Sequence, residues 1–67
     1  MTTRQEQISL AAEAATRADY LAKETERAAH HPDKRSIVQN LAAASTAWSD
    51  AAQAHAAIAA LLPETEA

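Results

Sequence analysis

A chain of 67 residues with a formal net charge of −3 and no cysteine makes one small domain, with no disulfide to brace it and no thiolate for metal binding or nucleophilic attack. The absence of glycine removes tight hairpin turns and any phosphate-cradling loop. Although 48 % of the residues are hydrophobic, 20 of them are alanine, so only twelve larger apolar side chains are available to a core. The scarcity of β-branched and aromatic residues leaves little from which to build strands, and the fold class expected is all-α: an antiparallel two-helix hairpin that dimerises into a four-helix bundle.

In chain order, Thr3 and Glu6 have the spacing of a capping box, which starts helix 1 near residue 3. Pro32 biases His31 away from helical backbone and ends that helix near residue 30. Along it Ile8, Ala11, Ala15, Ala18, Ala22, Thr25 and Ala29 alternate at three and four residues. This is a heptad seam of small side chains, with Leu10, Ala14, Leu21 and Ala28 in a second row beside it. The opposite face carries Glu13–Arg17 and Asp19–Lys23 at i, i+4, the spacing of helix-surface ion pairs.

The corner, residues 30–33, is too short for a flexible linker, and short connections make antiparallel neighbours. Pro32 suits a first helical position and Asp33 suits the positive end of a helix, so helix 2 is predicted over about 33–62, stopped by Pro63. An acidic tail, 63–67, completes a single hairpin domain. Leu41, Trp48, His55 and Leu62 fall seven residues apart on helix 2, joined on the predicted seam by Ile37, Ala44, Ala51 and Ile58. With the corner centred between His31 and Pro32, Trp48 is expected to face Ala15 as a core spacer, and His55 to lie level with Ile8 at the open end.

The stretch 41–62 has the length of a membrane span, but Asp50, Gln53 and His55 interrupt it, and one central aspartate costs about 2.5–3.5 kcal/mol on insertion scales. Residues 1–20 lack the basic and apolar regions of a signal peptide. Together with the missing cysteines, this makes a cytoplasmic protein without membrane contact the expectation.

No constellation of catalytic chemistry is legible. The serines have no histidine and acid at useful spacing, there is no nucleophile elbow, and no Glu-x-x-His pair of the di-iron kind is present. We therefore expect no enzyme, no cofactor and no metal. His55 could serve as a register-setting polar residue or as the centre of a metal- or ligand-binding bundle. It lies about 30 Å along the helix from His30 and His31. Glu26, His30, His31 and Asp33 are explained equally by helix-end electrostatics.

The corner is the most basic region. Lys23, Arg27, Lys34 and Arg35 face Glu24, Glu26 and Asp33, a surplus of a single positive charge, and nucleic-acid binding through these four cations is the second functional reading. In size and layout, without a shared motif, the chain resembles the Rop family of plasmid-encoded hairpins. The resemblance implies two copies in an antiparallel four-helix bundle and contact with RNA loops. The first functional reading is a non-catalytic hairpin that self-associates, or joins another helical protein, and acts through protein contacts as an adaptor, regulator or assembly component. The residues expected at that association are Leu10, Leu21, Leu41, Trp48, His55, Ile58, Leu61 and Leu62.

Overall fold

A computed structural model of the chain describes residues 2–64. Met1 and the last three positions of the acidic tail lie outside the described residues. Helix α1 spans Arg4–Ala29, a single 3-10 turn spans Pro32–Lys34, and helix α2 spans Arg35–Leu61. The two helices, 26 and 27 residues long, pack side by side along their whole length. The molecule measures 55 × 15 × 13 Å, the shape of two rods and not of a globule.

Local chemistry sets each boundary. The Thr3 hydroxyl accepts from the Glu6 amide at 3.0 Å, satisfying one of the amides left over at a helix start. At the other end of α1, His30 is still in right-handed helical backbone while His31 is extended at φ −116°, ψ 114°, as the residue before a proline must be. The corner therefore turns without any residue at positive φ, which is how a chain lacking glycine ends a helix. Leu62 repeats the device: extended at ψ 155° ahead of Pro63, it stops α2. Helix 2 was expected to begin near residue 33. Pro32 instead opens a 3-10 turn closed by Lys34 N–H to the His31 carbonyl, and the α-helical ladder starts at Arg35.

The seam between the rods differs from the expected one. On α1 the covered positions are Gln7, Ala11, Ala14, Ala18, Leu21, Thr25 and Ala28, whereas Ile8, Ala15, Ala22 and Ala29 are exposed. On α2 the series Leu41, Trp48, His55, Leu62 does border α1, but its companion row is Val38, Ser45, Ala52, Ala59, and Ile37 and Ile58 stand exposed. Each helix is rotated by one column of its heptad. The level pairing holds: Ser45 donates to the Ala18 carbonyl at 2.9 Å and His55 meets Gln7. Both contacts match a hairpin folded about the corner.

The fully buried apolar residues are Ala14, Ala28 and Ala59, and no large side chain is completely covered. Alanine's short side chain lets the two backbones approach closely enough for the Ser45 hydroxyl to reach a main-chain carbonyl on α1. Such a seam has no room for added volume. Ala14→Leu is expected to destabilise the protein by about 1–3 kcal/mol through overpacking, and Ala15→Leu, one residue away but outside the seam, to stay within about 0.5 kcal/mol. Paired urea titrations of the two variants read this difference directly.

Candidate functional site

Two regions of the hairpin carry side chains that the alanine seam does not account for. The first is the open end, where the helix termini meet. Gln7 is the most covered polar residue, 7 % exposed. Its amide nitrogen donates to the Thr2 hydroxyl at 2.9 Å, and its oxygen lies 2.7 Å from His55 Nδ1. With the Gln7 oxygen as the acceptor, Nδ1–H is the donor of this bond. Arg4 reaches Glu64 at 3.6 Å beside this network. Glu64 is largely exposed, so that pair contributes little.

His55 thus has a partner within its own chain. The sequence placed it level with Ile8; the rotation of α1 brings Gln7 there instead. Gln7 was legible in principle, because it stands one heptad before Ala14. His30 and His31 lie at the far corner, and among the described residues no three histidine, aspartate or glutamate side chains gather as a metal ligand set would.

The second region is a groove along one flank. Trp48, at the middle of α2, is 38 % exposed. Its indole does not sit between the helices facing Ala15, as the sequence suggested, because a seam closed by alanines is too narrow to hold it. The ring tips to the flank, where the Arg17 guanidinium lies 5.0 Å from its centroid, within cation–π range and contributing about 0.5–1 kcal/mol at an exposed site. Arg17 also pairs with Glu13 at 3.5 Å. Thr16, Arg17, Tyr20 and Leu21 from α1 and Ala44 and Trp48 from α2 line an open groove of about 550 Å³.

The residues expected at an association surface divide between these environments. Leu21, Leu41, His55 and Leu62 are half-buried against the other helix, while Leu10, Trp48, Ile58 and Leu61 are exposed, Leu61 to 87 %. Ile37 and Tyr20 are exposed as well and were not among the expected set. Ile37 was expected on the seam, and only the rotation of α2 turns it out to the flank.

At the corner, Lys23 pairs with Asp19 at 3.0 Å and Arg27 pairs with Glu24. Among the described residues this leaves Lys34 and Arg35 as the corner cations without an ion pair, next to exposed Asp33. No helix of the described residues is long and apolar enough to cross a membrane. Searches against family models, curated proteins and solved structures returned no match.

The Gln7–His55 contact joins residues 48 positions apart, so it fixes the level of one helix against the other. Removing either partner strands a covered polar group, at about 1–3 kcal/mol. A double-mutant cycle of Gln7→Ala and His55→Ala, measured by denaturant unfolding, is expected to give a coupling of about 1 kcal/mol. Simple additivity of the two variants would mean that the contact contributes nothing to the register.

Proposed function

We propose that this protein is a non-catalytic helical hairpin that self-associates, with two copies forming a four-helix bundle, and that it works through protein–protein contacts as an adaptor, regulator or assembly component. One observation carries the reading: the folded chain leaves most of its large apolar side chains exposed and, among the described residues, buries none of them completely. Ile8, Leu10, Ile37, Trp48, Ile58 and Leu61 are all exposed, and the fully buried apolar residues are alanines.

The area supports the same view. The chain exposes 5073 Å², whereas a compact monomer of 7.1 kDa exposes about 4,100 Å². The excess, about 1,000 Å², is of the size that one partner buries in a standard protein interface, about 800 Å². That excess is total surface and reflects the two-rod shape; the large apolar side chains exposed on it mark a place where another polypeptide would fit. The contacts within the hairpin point the same way, since alanine burial stabilises weakly and a chain of this length without disulfide or metal draws its remaining stability from assembly.

Sedimentation equilibrium across micromolar concentrations, read beside far-ultraviolet circular dichroism, tests the proposal. The expected result is twice the chain mass at the higher concentrations, with helicity and mass falling together on dilution. Trp48→Ala should shift that dissociation to at least tenfold higher protein concentration, a loss of about 1.4 kcal/mol or more. A monomer that melts cooperatively at micromolar dilution overturns the proposal.

A further inference from the structure

The exposed apolar residues are not spread evenly around the hairpin. On α2 the exposed Ile37 and Ile58 flank the half-buried Ala44 and Ala51 in one row at seven-residue spacing, and exposed Leu10 shares such a row on α1 with Arg17 and Glu24. Arg17 and Ala44 line the same groove, so both rows border one flank. Leu10, Ile37, Trp48 and Ile58 all belong to it. The opposite flank is bordered by Ala15, Ala22 and Ala29 on α1 and by Arg35, Ala42, Ser49 and Ala56 on α2; among the described residues Ile8 is its exposed large apolar side chain, and half-buried Val38 joins Ala29 and Arg35 near the corner.

The α2 row on the richer flank reads Ile, Ala, Ala, Ile in either direction. Its midpoint falls between Ala47 and Trp48. The α1 row is centred on Arg17, which lies over the Trp48 ring, and by the Ser45–Ala18 and His55–Gln7 contacts the two centres fall within about two residues, roughly 3 Å, of one level along the rods. From this coincidence we infer that a second copy of the chain docks on this flank, antiparallel to the first, about a twofold axis that passes at the level of Arg17 and Trp48.

That axis sets Ile37 against Ile58 of the second copy and Ala44 against Ala51 of the second copy, each contact made twice, as a twofold interface requires. The two Trp48 rings come together at the centre, where the groove of each copy lies. Charges along α1 fall into complementary places. Glu6, which forms no ion pair among the described residues, comes level with Arg27 of the second copy. The two Arg17 guanidinium groups approach the axis, each already accompanied by its own Glu13 at 3.5 Å. The inference rests on the self-association proposed above and adds to it the face, the direction and the register.

The absence of cysteine makes thiol cross-linking a clean test. Ala44→Cys and Ala51→Cys are prepared as separate proteins, checked for unchanged helicity, and oxidised alone and as a mixture. A thiol at position 44 lies about 10.5 Å along the rods from its own copy, beyond the 4.4–6.8 Å Cα separation that a disulfide spans, but it faces position 51. The expected result is a disulfide-linked dimer in the mixture, at least tenfold more abundant than in either protein alone. Ala42→Cys mixed with Ala56→Cys probes the opposite flank and should give none. A reduced protein that sediments as a dimer yet fails to cross-link through 44 and 51, or that links through 42 and 56, overturns this face while leaving self-association standing. A reduced protein that sediments as a monomer overturns both.

Discussion

The rest of the molecule follows from the width of the contact between its two helices. Ala14, Ala28 and Ala59 close the seam, and with so little side-chain volume between them the backbones approach until a serine hydroxyl on one helix bonds a carbonyl on the other. A seam this tight holds the rods in register but has no interior. Leu21, Val38, Leu41 and Leu62 are only half-covered in it, and Ile8, Leu10, Ile37, Trp48, Ile58 and Leu61 lie exposed outside it. The exposed apolar surface is thus a direct outcome of an alanine-built contact, and packing density in protein interiors explains why a tryptophan cannot share it.

Polar groups settle what the small residues leave open. Alanine against alanine has little preference for one level over another, since each pair buries nearly the same area. The Gln7–His55 bond at the open end and the Ser45–Ala18 bond at mid-length distinguish the native level from a slip by one turn, because a slip would leave a covered amide and imidazole without partners. A polar residue in an apolar helical seam that specifies register at some cost in stability is a recognised device of coiled coils. Here it is shared between two helices of one chain.

The two ends of the hairpin differ in chemistry. At the corner, Lys23 and Arg27 are held by neighbouring carboxylates, which reduces the positive field there to that of Lys34 and Arg35. At the middle of the rods, Arg17 lies over Trp48 and also pairs with Glu13, so the cation at the centre of the apolar flank is accompanied by a carboxylate and an aromatic face. The surface of the hairpin is accordingly more distinctive along its flank than at its corner, and the functional reading follows that distinction.

By itself the sequence determined the number of helices, where each one stops and their pairing level: the Thr3 cap, the two residues before proline, and a corner too short to let the rods diverge are local features, readable from a few residues each, although the start of α2 fell two residues later than read because Pro32 opens a 3-10 turn. It also determined that Leu41, Trp48, His55 and Leu62 border the partner helix, because that row places the tryptophan and a histidine between two leucines at heptad spacing. It did not determine which alanine column of α1 faces inward. Ala14 and Ala15, or Ala28 and Ala29, are chemically identical neighbours, and Ile8 made the wrong column look the more apolar. Tertiary structure decided that rotation, since turning α1 brings Gln7 to His55 and turning α2 brings Ser45 to the Ala18 carbonyl, and a hydrogen bond between helices requires both partners on the facing side at once. With the rotation came everything about the flanks, including the placement of Trp48 over Arg17 and of Ile37 and Ile58 in the open, because the direction in which a helical side chain points is fixed only when its neighbour's position is known.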